Sequence, residues 1–400
     1  MIKFPSKFFW GAATSSYQVE GNNTQVDWWA WEKEAGKEQS GQACRHYELY
    51  EADFDLAKSL HHNAHRLSIE WARIEPEPGR YDAQELQHYV NVLIALRKRG
   101  IEPMVTLHHF TNPQWLAKIG GWENPKVIEH FLDYCDHTVR ALAKHVDYWI
   151  TINEPTIISS HAYLFGVWPP QGKSIWRTMK VQKHQIQAHI KTYQRIHQIY
   201  EESNLKDPKV GIAHHMPALV ACQDTLRNRL AVKLRDKSFN FWFLDSINSQ
   251  KTMDFIGLNY YSRQLVETKS WWIVNMLSDV CNQGHHPVKK NALGWDIYPK
   301  GLYELLIKLK KYHLPIMITE NGICVQNDEE RWEFIQEHLK AIHQAIQEGV
   351  DVQGYMYWSL LDNFEWDKGF APRFGLIEVD YQSFKRTPRA SAIKYANVCQ

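Results

Sequence analysis

The sequence has almost no surplus of charge. Its 400 residues carry 46 Lys and Arg against 45 Asp and Glu, a formal net charge of +1. Such a balance gives no global attraction to nucleic acid or to an anionic membrane, and it fits a soluble protein with a small, largely neutral partner. Cysteine is sparse and scattered. Cys44, Cys135, Cys222, Cys281, Cys324 and Cys399 include no pair at zinc-knuckle or redox-dithiol spacing, so reduced, buried thiols are expected. Long apolar runs are missing as well: the opening "MIKFPSKFFWGAATSS" is too polar and too short in apolar residues for a signal peptide or a span, which implies a cytoplasmic location. Its "FWGAATSS" offers only Gly11 where a dinucleotide fold would need a glycine-rich loop. A Pro/Gly/Ser linker, a low-complexity tract and a near-identical repeat are likewise missing, so nothing divides residues 1–400, and one domain is expected.

What is present is aromatic residue, 13% of the chain with 17 Trp, and a regular alternation of segment types. A packed core absorbs such an excess, while a sugar-binding cleft also needs flat apolar faces. Short β-rich runs occur at 8–16 ("FFWGAATSS"), 63–70 ("NAHRLSIE"), 102–109 ("EPMVTLHH"), 148–154 ("YWITINE"), 209–215 ("KVGIAHH"), 253–261 ("MDFIGLNYY"), 315–322 ("PIMITENG") and 352–360 ("VQGYMYWSL"). Between them, 86–99, 127–144, 176–200, 302–311 and 331–347 have apolar residues near helical spacing. Alternation of strand and helix predicts a parallel sheet, and a count of eight favours closure into an α/β fold of the (β/α)8 TIM barrel type.

In such a barrel the C-terminal strand ends form the active face. The predicted strands place polar residues there: His108 and His109, Asn153 and Glu154, Asn259 to Tyr261, Thr319 to Asn321, with Arg66 inside the second run. A single glutamate at a strand end is as readily a rim ion pair as a catalytic group. Two in matching contexts, Glu154 and Glu320, with no metal-binding motif beside them, point to glycosidic bond cleavage by a pair of carboxyls.

These segments resemble glycoside hydrolase family 1, the retaining β-glucosidases and β-galactosidases. The resemblance rests on "TINEP", "ITENG" and "YWSLLDNFEW", supported by "FFWGAATSSYQVEG", "HRLSIEWARIEP", "IEPMVTLHHFTNPQWL", "GGWENP", "DFIGLNYYS", "GWDIYPKGL" and "RFGLIEVDY". It implies Glu154 as general acid/base and Glu320 as the nucleophile of a covalent glycosyl-enzyme intermediate. It further implies that Arg66 and Tyr261 hold Glu320 ionised, that Asn153 meets the sugar 2-hydroxyl, that Gln18, His109, Glu365 and Trp366 bind other hydroxyls, and that Trp358 forms a stacking floor. No metal and no organic cofactor are implied. A terminal glucosyl, galactosyl or fucosyl unit fits the same set. Members that take 6-phosphorylated sugars have a small residue at the place of Trp366, followed by Lys and Tyr, so "EWDKGFAPRFG" implies an unphosphorylated sugar.

The residues have plainer readings too. Trp358 alone in a strand reads as core packing, and Gln18 as a partner for backbone groups. The pairs His61-His62, His108-His109, His214-His215 and His285-His286 cannot easily chelate together, because strand neighbours point to opposite faces. The expected charge pattern of the two glutamates is that Arg66 keeps Glu320 ionised, and that Glu320 in turn keeps Glu154 protonated. Three departures stand out: Phe110 where many members have Trp, His214-His215 where an Asn is common, and a short segment over 262–294. As loop-end features these are expected to bear on the aglycone more than on the chemistry. An endo-acting glycanase on the same barrel and a catalytically silent sugar-binding barrel are the rival readings; "NFEW" disfavours the first and the two glutamates the second.

Overall fold

The computed structural model describes residues 3–278, 281 and 288–400, so His285-His286 lies outside the described residues. Eight parallel strands close into a barrel: β1 (Phe9–Ala13), β2 (Ala64–Ser68), β3 (Glu102–His108), β4 (Tyr148–Asn153), β5 (Lys209–His215), β6 (Phe255–Asn259), β7 (Ile316–Asn321) and β8 (Val352–Trp358). Every run expected from the sequence contains one of them. β8 returns to pair with β1 from Phe9 opposite Gly354 to Ala13 opposite Trp358, which closes the ring. The strands are apolar on both faces because both are covered. Met104, Ile150, Ala213, Phe255 and Met317 fill the barrel's interior, while Trp149 and Thr151 face outward to Tyr200 and His189.

Eight helices follow in order around the outside: α1 (His46–Ser59), α2 (Ala83–Lys98), α3 (Val127–Leu142), α4 (Ile175–Glu202), α5 (Trp242–Asn248), α6 (Pro299–Leu309), α7 (Asp328–Gln347) and α8 (Ala390–Cys399). In α3 the buried residues are Val127, Ile128, Phe131, Tyr134, Cys135, Thr138, Val139 and Leu142, the spacing of one helical face. Asp82 starts α2 by accepting from the backbone of Gln84 and Glu85, and Asn327 starts α7 by accepting from Glu329. No helix among the described residues is long and apolar enough to cross a membrane.

The expectation of six reduced thiols is corrected. Cys44, Cys135, Cys324 and Cys399 are free and buried, but Cys222 and Cys281 form a disulfide across 59 residues of sequence. Both backbones are held to one stretch of chain, Cys222 N–H to Val266 O and Cys281 N–H to Leu265 O. Side-by-side docking on that stretch brings the two together, a closeness that linear spacing does not reveal.

Candidate active site

Both glutamates follow an irregularity in their strand. β4 loses register against β5 between Ile150 and Asn153, and β7 shifts against both neighbours, passing from Ile318 opposite Leu258 to Glu320 opposite Asn259. Bulges of this kind re-aim side chains next to functional sites. Glu154 then takes a left-handed backbone (φ 45°, ψ 58°) and donates its N–H to Ala213 O at 2.7 Å. Pro155 occupies the first position of the short helix Pro155–Ile158, where its missing N–H costs nothing. A glutamate held in that backbone region is strained, and strain of this sort gathers at functional sites.

The side chains form one connected, buried network. Arg66, from the middle of β2, donates to Glu320 Oε1 at 2.5 Å through Nη1 and to Asn153 Oδ1 at 2.6 Å through Nη2. Tyr261 donates its hydroxyl to the other Glu320 oxygen at 2.6 Å. Asn259 donates to Glu154 Oε1 at 2.8 Å and to Asn153 Oδ1 at 3.1 Å, and it is oriented by Thr319, whose hydroxyl donates to Asn259 Oδ1 at 2.6 Å. Asn153 Nδ2 lies 3.2 Å from His109 Nε2. The His109 ring is nearly parallel to both Trp358 and Trp366, with centroids 6.0 and 6.2 Å away.

The remaining expected residues complete one side of the same face. Gln18 Nε2 donates to Phe364 O at 2.8 Å and to Glu365 Oε2 at 3.3 Å, so it both pairs a backbone group and holds the carboxyl beside Trp366. Trp366 is wedged among Tyr17, Trp28, Phe110 and Trp168. Trp358 packs with Ala13, Met356 and Phe374, so it is a core residue that also faces His109. Thus Gln18, Arg66, His109, Asn153, Glu154, Tyr261, Glu320, Trp358, Glu365 and Trp366 all reach the C-terminal end of the barrel.

Two groups that sequence reasoning did not include join them. Asn259 was visible as a polar strand end, but its bond to Glu154 spans 105 residues of chain. His215 had been read as an influence on the aglycone. Its Nδ1 lies 3.5 Å from Glu154 Oε1, so this departure also reaches the Glu154 carboxyl. In two of the histidine pairs the members meet different partners: His108 bonds Asn112 while His109 faces Asn153, and His214 bonds Asn240 O while His215 faces Glu154. Among the described residues, Cys222, Glu267 and Cys281 bring three ligand-type atoms within 4.8 Å, and two of these are joined to each other.

Electrostatics follow from burial. Desolvation would raise Glu154, but the neighbouring His215, with Asn259 and Arg66, outweighs it and draws the carboxyl below its ordinary value. Desolvation also raises Glu320, and with Glu154 charged nearby it is pushed up to about 7 against the pull of Arg66 and Tyr261. The expected polarity is therefore reversed when His215 carries charge, because that expectation left His215 out. Two carboxyls this closely linked share one proton. Burial, then Glu320, Asp367 and Glu154, push Glu365 up to about 8, so it is a neutral hydrogen-bond donor near pH 7. Burial and Glu320 hold the Tyr261 phenol well above its usual range, and burial holds His109 well below its own, so both stay neutral. The assembly brings two buried carboxyls together beside a wall of neutral polar groups and aromatic rings, an arrangement suited to cleaving a glycosidic bond.

Known proteins share this arrangement of chain. The description "Glycosyl hydrolase family 1" fits residues 1–251 and 247–400. Beta-glucosidase A of Thermotoga maritima is 31% identical over 444 aligned positions, covering 99% of this chain and 97% of that protein. The solved structure of a β-glycosidase from Pyrococcus horikoshii superposes with a TM-score of 0.94 at 41% identity, over 100% of this chain and 95% of that one. The β-glucosidase of Thermotoga maritima in complex with glucoimidazole superposes at 0.92 and 30% identity, over 100% and 99%. With two glutamates at the ends of β4 and β7 of a closed barrel and matches of this extent, the chain belongs to glycosyl hydrolase family 1.

Proposed function

We propose that the protein is a retaining, exo-acting β-glycosidase that removes terminal, unphosphorylated β-D-glucosyl, β-D-galactosyl or β-D-fucosyl residues through a covalent glycosyl-enzyme intermediate. The observation that carries this reading is the joining of Glu154 and Glu320 through Asn153, which accepts from both the clamp on one carboxyl, Arg66, and the clamp on the other, Asn259. In the first step Glu154 gives its proton to the glycosidic oxygen as the C1–O bond breaks, and Glu320 forms the new bond to C1 from the opposite face. Water then attacks C1 as its bond to the Glu320 oxygen breaks, Glu154 takes the water's proton, Glu320 returns to carboxylate, and the sugar leaves with its original configuration. Retention needs the two carboxyls about 5 to 5.5 Å apart. Linkage of both to Asn153 supports such closeness.

The wall formed by Gln18, His109, Glu365 and Trp366 supports recognition of a terminal sugar by its hydroxyls, and the Glu365–Gln18 bond supports a cleft closed on that side, which favours exo action over internal cutting. The substrate is a small β-glycoside or oligosaccharide, and the whole chain acts as one catalytic domain in the cytoplasm. A panel of aryl β-glycosides, with the anomer of the first product read by NMR, tests the reading. The β-anomer of a single released sugar should appear first. Initial formation of the α-anomer, or internal cuts in a long β-glucan, would overturn it.

A further inference from the structure

His215 stands at the end of β5 with its Nδ1 3.5 Å from Glu154 Oε1, on the carboxyl oxygen that also receives Asn259. Its side chain is 19% exposed, enough for exchange of protons with the cleft, whereas Glu154 is buried. Histidine is the side chain whose charge ordinarily changes between pH 5 and 8.

Among the described residues, Glu154 is the one acidic ion-pair contact of His215. The Tyr261 ring lies 6.2 Å away at 29°, and its phenol stays protonated. His161, in the segment after β4, is lowered by burial and by His215 itself, so it remains neutral when His215 charges. His214 turns away to Asn240 O and is pushed down to about 4 by burial. Arg66 is bonded to Glu320 and Asn153, and Asn259, which bonds both Asn153 and Glu154, carries no charge.

We propose that His215 is a positioning residue that decides which of the two carboxyls keeps their shared proton. The inference rests on the reading of Glu154 as acid and Glu320 as nucleophile. With His215 neutral, the donors are unequal: Glu320 receives a permanent guanidinium and a phenol, and Glu154 receives one amide. The negative charge settles on Glu320 and the proton on Glu154, which is the productive form. With His215 charged, the cation beside Glu154 favours its carboxylate and the proton passes to Glu320. The nucleophile is then lost and the acid is spent. No atom is gained or lost by the site beyond the proton on His215. The device lowers turnover as the medium becomes acidic while leaving the fold unchanged.

The test compares the pH dependence of kcat/KM for the wild type, His215→Asn and His215→Gln on an aryl β-glucoside with a poor leaving group. The wild type should lose activity between pH 7 and pH 5, and both variants should hold theirs over this range, their acid limb displaced downward by half a pH unit or more. Above pH 7 the three profiles should keep the same shape. Variant profiles that differ from the wild type only by a uniform factor would overturn the proposal, since a structural role alone gives that result. A second measurement does not use activity: the imidazole of His215, identified by its absence from His215→Asn, is titrated by NMR in the wild type and in Glu154→Gln. Its midpoint should fall in Glu154→Gln, and an unchanged midpoint would also overturn the proposal. Failure of the underlying reading is separate, and would show as near wild-type turnover in Glu154→Ala or Glu320→Gly.

Discussion

Arg66 and Asn259 converge on a single oxygen, Oδ1 of Asn153, at 2.6 and 3.1 Å. Each is at the same time the clamp of one glutamate, Arg66 on Glu320 and Asn259 on Glu154. The spacing of the two carboxyls is thus set by one amide on the strand between their clamps. Rigid elements hold catalytic groups to a fraction of an ångström, and a misplacement of about 1 Å can cost roughly 10²-fold in rate.

Asn259→Ala follows directly. It removes the donor on Glu154 and leaves the Arg66–Glu320 contact intact. The kcat/KM on an unactivated aryl β-glycoside should fall by about 10²-fold. On a dinitrophenyl glycoside, which needs little protonation, the fall should be much smaller. Equal losses on both substrates would mean that Asn259 acts on binding rather than on the acid.

Removing the carboxyls themselves separates their tasks. Glu320→Gly should lose turnover by roughly 10³-fold or more on every aryl β-glycoside, because no covalent intermediate can form. Glu154→Ala should lose about 10² to 10⁴-fold on poor leaving groups. With an activated aryl glycoside and azide it should regain part of its rate and yield the β-glycosyl azide. Near wild-type turnover in the first variant, or no azide product in the second, would contradict the assignment.

The barrel was legible in the sequence because its signal is local. β5 runs from Lys209 to His215 as expected, and the other strands differ from expectation only at their ends. β1 stops at Ala13 rather than Ser16 because Ser16–Val19 turns helical, which places Gln18 against the Phe364 carbonyl. α6 begins at Pro299, before the expected Leu302, because a proline is well placed in the first helical turn. What stayed hidden depends on closure of the ring. The meeting of Asn259 with Glu154, the approach of His215 to the same carboxyl and the bridge from Cys222 to Cys281 join residues 105, 61 and 59 positions apart, and no periodicity encodes them. The expected charge pattern of the glutamates was incomplete for the same reason, since it left out the histidine that folding brings to Glu154.

Sugar phosphates offer a sharper test of the "NFEW" segment. Trp366 fills its corner against Tyr17, Trp28, Phe110 and Trp168, and the nearby Lys368 is committed to Asp367 at 2.6 Å. Glu365 beside Trp366 is a carboxyl that burial pushes up to about 8, so it offers a phosphate no cation. A dianionic phosphate would meet aromatic bulk there, and the lysine beside it is already paired with Asp367. An aryl β-glucoside should therefore be preferred over its 6-phosphate by at least about tenfold in kcat/KM, roughly 1.4 kcal/mol. The reverse preference would move the enzyme to the phosphoglycosidases.

Stability has its own buried pair, anchored in α1. Asp53 of α1 is fully buried and accepts from Arg386 Nε at 2.8 Å, while its other oxygen lies 2.7 Å from His46 Nδ1. Burial alone would raise Asp53, but His46 and Arg386 outweigh it and hold the carboxyl below its ordinary 3.8. The sign follows from linkage: a depressed folded-state value contributes stability that is present above pH 3.8 and is lost as pH falls through the folded-state value. Asp53→Asn should remove that contribution at every pH and leave the nearly buried Arg386 without its counterion. Breaking one side of such a pair typically costs about 3 to 5 kcal/mol. Urea titration of the variant at pH 7 should show that loss, and a variant as stable as the wild type would show that the pair contributes nothing. Acidification below pH 3.8 should then destabilise the wild type more steeply than Asp53→Asn; parallel curves for the two would show that the Asp53 carboxyl contributes nothing through its charge.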